Sequence, residues 1–309
     1  MKENSRIYLA GHTGLVGSSL KNRLENLNYK NILLNDHSHL DLRRQLDVER
    51  FFEHTRPEYV FIAAARVGGI KDNIEKKAEF IYDNLQIQTN IIHSSWNSGV
   101  TKLIFLGSSC TYPKGYSQPI KEEEFLNGRL EETSDAFAVA KIAGIQMCKA
   151  YNEQYKTNFI SVIPCSLYGP NDNFNQETSH FISGILSRMH QSKINSDKSF
   201  EVWGTGFQRR EIMHVDDLSD ALILLMNLEK SPKLINIGFG QDYEIREIVE
   251  KIKGIINFKG EVIYNTEKPA GVSRKLLDSE RIKSLGWSPK ISLEKGLRDT
   301  YNQFINNKD

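Results

Sequence analysis

Short apolar runs rich in β-branched residues alternate with longer amphipathic stretches through the first half of the chain. Runs at residues 7–10, 31–34, 59–63, 102–107 and 160–163 read as strands. Periodic apolar positions over 15–27, 47–55, 78–97 and 138–155 read as helices. Consecutive parallel strands need a helical crossover to bring the chain back, so this alternation predicts an α/β fold with a doubly wound parallel sheet. Such sheets take their ligands beyond the carboxyl ends of the strands. After Tyr168-Gly169-Pro170 the texture changes. A polar loop (171–178) is followed by a helix (179–191), a polar spacer (192–199), a strand (235–238), a helix (245–252) and a tail rich in Pro, Gly and basic residues (268–289). A smaller α/β lobe interleaved with the first is expected. Residues 1–168, with about 212–238 returning to them, form the larger domain, and 169–211 and 239–309 form the lobe.

Composition narrows the function. The 309 residues carry 40 Lys and Arg against 39 Asp and Glu, a formal charge of +1. Nucleic-acid binders usually present a strongly basic face, so no nucleic-acid partner is expected. Hydrophobic residues make up 39% and charged residues 26%, as in a globular protein rather than a disordered one. No stretch approaches the roughly 18 apolar residues of a membrane helix, and the start has no signal-peptide core. The three cysteines (Cys110, Cys148, Cys165) include no C-x-x-C pair. Neither a disulfide framework nor a metal is expected, and a cytoplasmic location is.

The first strand runs into Gly11-His12-Thr13-Gly14-Leu15-Val16-Gly17, which opens the first helix. Glycines there let the backbone turn sharply and approach a pyrophosphate, which the free N–H groups of the helix N-terminus receive. Strand, glycine turn and helix in that order point to a Rossmann-type dinucleotide site. The second strand ends in Asn35-Asp36-His37-Ser38. Asp36 suits ribose hydroxyls and so NAD(H), whereas His37 with Arg43 or Arg44 suits a 2′-phosphate. Asp41 and Leu42 are candidates for the adenine pocket. Ala63, Ala64 and Ala65 supply the small side chains a nicotinamide ribose needs beside it. Gly107-Ser108-Ser109-Cys110 ends the next buried strand, which puts Ser108 and Cys110 at the active edge. Phe137 and Lys141, four apart at a helix start, share a face.

Several further segments stand in the right order: Arg66-Val67-Gly68-Gly69-Ile70, Tyr112-Pro113, Leu167-Tyr168-Gly169-Pro170, Asp172-Asn173-Phe174, Ser179-His180, Trp203-Gly204, Arg210-Glu211, His214-Val215-Asp216-Asp217, Lys275-Leu276-Leu277-Asp278 and Leu285-Gly286-Trp287. With the glycine turn and the Ser108 strand end, they make the chain resemble the extended short-chain dehydrogenase/reductases, specifically the GDP-L-fucose synthase family. That resemblance implies an NADP(H)-dependent 4-reductase of a GDP-linked keto-sugar, a deoxyhexose or a heptose, in nucleotide-sugar biosynthesis of the kind that supplies capsule polysaccharide. It implies that Ser108 bonds the C4 carbonyl oxygen and that Lys141 holds the nicotinamide ribose. The tyrosine that donates the proton is replaced by Phe137, so a slow enzyme is expected. Phe137 is then either a Tyr-to-Phe change or the mark of a natural member with another donor.

The resemblance further implies an acid and a base for 3,5-epimerisation in Cys110 and His180, although GDP-heptose relatives can keep both and only reduce. Substrate contacts are expected from Ser109, Ser166, Asn173, Arg188, Trp203, Arg210 and Lys275. Ser166 departs from the Asn usual there. Thr13 and His37 replace arginines beside the 2′-phosphate, which leaves NAD(H) open. A homodimer is expected through helices 78–97 and 138–155, whose apolar residues (Ile81, Leu85, Ile92, Ile142, Ile145, Met147) exceed one core face. Asp216 or Asp217 is expected to cap a helix. Three readings compete: a reductase, a reductase that also epimerises, and a catalytically silent binder of nucleotide-sugar or dinucleotide motivated by Phe137.

Overall fold

The structure, a computed structural model, describes residues 1–176, 178–268 and 272–306. The first half runs β1 (Ile7–Ala10), α1 (Leu15–Asn26), β2 (Ile32–Leu33), α2 (Gln45–Thr55), β3 (Tyr59–Ile62), α3 (Ile70–Glu75), α4 (Lys77–Asn97), β4 (Lys102–Leu106), α5 (Asp135–Tyr155) and β5 (Phe159–Pro164). The second runs β6 (Ser166–Tyr168), α6 (Phe181–Ile194), β7 (Ser199–Trp203), β8 (Arg209–His214), α7 (Val215–Asn227), β9 (Leu234–Ile237), β10 (Asp242–Glu244), α8 (Ile245–Ile256), β11 (Glu261–Asn265), β12 (Arg274–Lys275), α9 (Glu280–Ser284) and α10 (Leu293–Asn306).

Six strands form one parallel sheet in the order β2-β1-β3-β4-β5-β9. Every residue of β1, β4 and β5 is buried. Helices cover both faces, so these strands are apolar except at Lys102 and Ser161 and do not alternate. Helices α2, α4 and α5 pack in a row, and α1 packs on α7. Gly144 lets α5 lie close on β4, since a Cβ there would sit 2.4 Å from the Phe105 ring. The strand order reverses between β1 and β3, and the crevice outside that reversal is where such sheets bind ligands.

The second lobe is built on β10-β8-β12 with β6 beside β8, and on the pair β11-β7. It has its own core, including Ile185, Leu186, Met189, Phe200, Ile248, Leu297 and Phe304. The chain weaves between the lobes. Strand β6 pairs with the end of β8, Ser166 with Ile212, Leu167 with Met213 and Tyr168 with His214, all within the stretches expected to belong to the larger domain. Helix α7 and β9 return to the large sheet, and Leu277, Ile282 and Trp287 pack into its core from far along the chain. Glu211 fastens the joint: its buried carboxylate accepts the backbone N–H groups of Gly240 (2.7 Å) and Leu277 (2.9 Å).

Two expectations change. Asp216 and Asp217 do not cap α7. The His214 ring accepts the Asp216 N–H (3.3 Å), the Asp216 carboxylate takes the Ser19 hydroxyl (2.6 Å), and Asp217 accepts the N–H groups of Lys290 (2.9 Å) and Ile291 (3.0 Å). The far end of α7 is closed by buried Lys102, whose ammonium donates to the carbonyls of Leu225 (3.1 Å), Met226 (3.3 Å) and Leu228. Of the apolar residues assigned to a dimer face, Ile92 and Ile145 are core residues of this chain. Ile81, Leu85, Ile142 and Met147 are half-buried, and Tyr82 and Val139 beside them are exposed.

Candidate active site

The crevice begins where three backbones meet. Gly11 has φ +85°, and a Cβ on it would lie 2.6 Å from the Ala64 nitrogen. A Cβ on Gly17 would lie 1.9 Å from the Gly11 carbonyl oxygen. Only bare glycine lets β1, α1 and the end of β3 come so close. Gly14 is the N-cap of α1 and makes no side-chain cap, so first-turn N–H groups stay available to an anion.

Next to this turn lies a charged rim. The Asp36 carboxylate closes its own turn, accepting the Ser38 hydroxyl (2.6 Å), the His39 ring (2.8 Å), and the backbone N–H groups of Ser38 (3.0 Å) and His39 (3.2 Å). Its hydrogen bonds from Ser38 and His39 hold its pKa far below the usual carboxylate range. It lines the crevice with its oxygen engaged within the chain, which weakens its expected role as the ribose acceptor. Arg43 grips Asp41 through two bonds of 2.9 Å and reaches Asp83 at 3.3 Å. The Asp41 carboxylate, expected at the adenine, is thus spent on Arg43. Hydrogen bonding to Arg43 depresses its pKa to about 2. The His37 ring lies 3.3 Å from the same guanidinium.

The middle of the crevice holds the chemical groups. Ser108 ends the loop after β4, and its hydroxyl oxygen accepts the Cys110 N–H (3.2 Å). Close packing of α5 on β4 brings the Lys141 Nζ to the Leu106 carbonyl at 2.8 Å. Burial lowers the Lys141 pKa to about 7. That ammonium lies 4.8 Å from the Phe105 ring centroid and 5.8 Å from that of Phe137. Phe137, one turn before Lys141, stands edge-on to Phe80 and lines the crevice. The Lys275 Nζ lies 3.9 Å from the Cys110 sulfur. Burial pushes that thiol up, but the Lys275 charge and hydrogen bonds from Ser108 and Ser134 outweigh it, and the thiol ends below its ordinary value. His180 occupies the N-cap position of α6 without capping it. Its Nδ1 lies 3.8 Å from the Asp172 carboxylate, which is almost wholly buried. The two lobes touch here: the Gly69 N–H donates to the Thr178 carbonyl (3.1 Å), and a Cβ on Gly69 would lie 2.7 Å from the Ser179 oxygen.

The smaller lobe lines the far end. Arg188 on α6, Trp203 at the end of β7 and Arg210 on β8 face the same space. Trp203 is 48% exposed, with the Lys268 ammonium 5.8 Å from its ring centroid. Burial lowers the pKa of both Arg188 and Arg210. Ser109 is buried beside Cys110, and Ser166 is exposed on β6. Asn173 spends its side chain within its own loop, on Thr178 (3.0 Å) and the Asn175 N–H (3.0 Å), rather than holding it ready for a ligand.

The site residues expected from the sequence, with Thr13, Leu15, Val16, Leu42, Ala63 and Ala65 among them, line one continuous cleft of about 1670 Å³. A single small-molecule site spans roughly 300–1000 Å³, so this cleft has room for two large ligands end to end. Sequence reasoning passed over Glu131, Ser134 and Glu201, which also line it, and quoted Asp172 only within a motif, without a role. Glu131, Ser134 and Asp172 stand in irregular loops without periodicity. Glu201 had a signal, being two residues from Trp203 and so on the same face of a strand. Among the described residues no group of three or more His, Cys, Asp or Glu is placed to hold a metal. No helix among the described residues is long and apolar enough to cross a membrane.

Fold and cleft define a class: a two-lobed, doubly wound α/β protein with a glycine turn suited to a phosphate-bearing ligand and room for a second ligand against its smaller lobe. Residues 7–238 match the model of the NAD dependent epimerase/dehydratase family. A putative GDP-L-fucose synthase 2 of Arabidopsis thaliana is 48% identical over 307 residues, which cover 99% of this chain and 94% of that protein. The crystal structure of a GDP-6-OMe-4-keto-L-xylo-heptose reductase from Campylobacter jejuni superposes with a TM-score of 0.94 at 38% identity, covering 99% of each chain. A GDP-mannoheptose C4 reductase from Campylobacter jejuni with NADP bound superposes with a TM-score of 0.89 at 39% identity, again over 99% of each. The chain belongs to the NAD dependent epimerase/dehydratase family and, within it, to the GDP-L-fucose synthase family.

Proposed function

We propose that this protein reduces the C4 ketone of a GDP-linked 4-keto-sugar with NADPH, at a rate held down by Phe137. The observation that carries this reading is the convergence of Ser108, Phe137 and Lys141 midway along a cleft that starts at the Gly11–Gly17 turn and ends at Arg188, Trp203 and Arg210. When bound, the cofactor supplies the hydride that adds to C4. The uncapped start of α1 holds its pyrophosphate, and the Arg43 guanidinium, with the His37 ring 3.3 Å from it, offers a cation for a 2′-phosphate. Engagement of the Asp36 Oδ1 in its own turn weakens the acceptor that favours NAD(H), which supports NADP(H). The Ser108 hydroxyl donates a hydrogen bond to the ketone oxygen, and Lys141 binds the nicotinamide ribose. Phe137 shapes the wall opposite but has no O–H to give, so the developing alkoxide takes its proton from water or through Ser108. At the far end, the Arg188 and Arg210 guanidinium groups match the diphosphate, and Trp203 offers a face to the base.

A second reading adds 3,5-epimerisation. It is favoured by the low-lying Cys110 thiol beside Lys275 and by His180 beside Asp172, two groups able to move protons at the carbons flanking a ketone. Both readings separate in one experiment. With C4-deuterated NADPH in ordinary water, label appears at C4 of the sugar if the reductase reading holds, and its absence with both ligands bound refutes it. In heavy water, uptake at C3 or C5 that is lost in Cys110→Ser establishes epimerisation.

We also propose that two copies pair through the exposed faces of α4 and α5, around Tyr82 and Val139, and that the protein works in the cytoplasm.

A further inference from the structure

Behind Cys110 a side pocket of about 100 Å³ opens off the main cleft. Cys110, Glu131 and Lys275 border both spaces and form its gate, and Val272 stands at the same border. The interior is made by the loop that follows Cys110. Among its polar groups, the Tyr112 hydroxyl donates to Asn236 (2.7 Å), the Gln118 side-chain oxygen accepts the Leu276 N–H (2.7 Å), Lys114 pairs with Glu132 (3.3 Å) and Arg274 pairs with Asp242. The pocket thus has a charged mouth, and its interior combines the apolar faces of Tyr112, Pro113 and Ile120 with Ser273 and the paired side chains of Lys114 and Arg274.

Its position relative to the sugar follows from the proposed function, on which this inference rests. Ser108 and Lys141 define where the C4 oxygen sits. Cys110, two residues on from Ser108, faces a ring carbon next to C4, and one such carbon, C5, carries the exocyclic arm. A water occupies about 10–15 Å³ of comparable volume, so 100 Å³ seats several non-hydrogen atoms. The arm of a 6-deoxyhexose is a single methyl group and leaves most of that space unfilled. We infer that the pocket receives the longer arm of a seven-carbon sugar. The hydroxyl nearest the ring bonds Glu131 or Lys275 at the mouth, and the terminal carbon enters the interior. The preferred substrate class is a GDP-4-keto-heptose.

Equilibrium binding tests this independently of turnover. GDP, GDP-fucose and GDP-mannoheptose are titrated into the NADP-loaded protein by calorimetry. The heptose arm adds one carbon and two hydroxyl groups to the methyl group of fucose; one buried carbon and one net hydrogen bond are together worth about tenfold in affinity, so GDP-mannoheptose is expected to bind at least about tenfold more tightly than GDP-fucose. Val272→Phe fills the pocket and is expected to erase that preference while leaving the GDP affinity unchanged. Glu131→Ala, which removes one partner at the mouth, is expected to reduce it, and retained GDP binding certifies that each variant is folded. Equal binding of the two sugars to the unmodified protein, or a preference that survives both variants, overturns the inference. No binding of GDP at all overturns instead the reading of the cleft itself.

Discussion

Phe137→Tyr is the substitution on which the catalytic reading turns. A tyrosine in the same rotamer places its hydroxyl in the cleft at the wall where Phe137 now stands, with the Lys141 Nζ 5.8 Å from the ring centroid. A nearby ammonium favours the phenolate and so makes the phenol a better acid. A positioned general acid contributes about 10²–10⁴-fold, or about 3–5 kcal/mol of barrier. The rate of NADPH consumption with a GDP-4-keto-sugar should therefore rise by at least about a hundredfold. Little else should change. The ring is half-buried against Phe80, and the added oxygen points to solvent or ligand, so folding stability should shift by less than about 0.5 kcal/mol. The assay follows NADPH absorbance at saturating sugar, with calorimetry confirming unchanged affinities for cofactor and GDP. A restored donor must be protonated to act, so the faster rate should fall again as pH rises through the phenol's pKa. A gain below about tenfold, with both ligands bound, would show that the proton does not pass through this position.

Other perturbations probe neighbouring groups. Lys275→Gln removes the charge 3.9 Å from Cys110, which raises the thiol pKa, and alkylation of Cys110 near neutral pH should slow by about tenfold or more. Equal alkylation rates would dismiss the pairing. Burial depresses the folded-state pKa of Lys141 to about 7 from an unfolded value of 10.5, so the unfolded chain holds the extra proton between those limits. Stability from this group is complete above the unfolded pKa and is lost as pH falls through about 7. Lys141→Met should accordingly raise the melting temperature most below about pH 7, with the advantage shrinking toward about pH 10, while activity is lost. A pH-independent difference would refute that account. Tyr82→Asp combined with Val139→Asp should convert a dimer to a monomer in light scattering, whereas an unmodified protein that is already monomeric removes the proposed interface.

Much of the larger lobe was readable because its physics is local. Continuous apolar runs such as 103–106 read as doubly covered strands, and a glycine turn between strand and helix has few other uses. The smaller lobe was harder. Strand β12 is the dipeptide Arg274–Lys275, with no apolar residue to announce it; pairing with β8 and the grip of Arg274 on Asp242 make it a strand. Strand β7 did carry a period of two, with Phe200 and Val202 inward, but five residues after a polar stretch were too short to stand out. Side-chain allegiance was least legible. Asp36, Asp41, Asn173 and Asp217 all have the residue type that ligands or helix ends require, and each is engaged by a partner within the chain. Which partner wins is decided by loop geometry that sequence spacing does not record.

The weaving of the chain between its lobes also decides how the molecule can be divided. A fragment ending at Tyr168 would lack β9, so β5 would present a bare hydrogen-bonding edge, and it would lack α7, so apolar surface on α1 and β4 would face water. The complementary fragment would carry β9 and α7 with no sheet to dock on. Neither piece is a folding unit, and both expose surfaces that invite aggregation. The protein is sewn together rather than hinged, and a split version has to be cut in a surface loop and reassembled from both pieces at once.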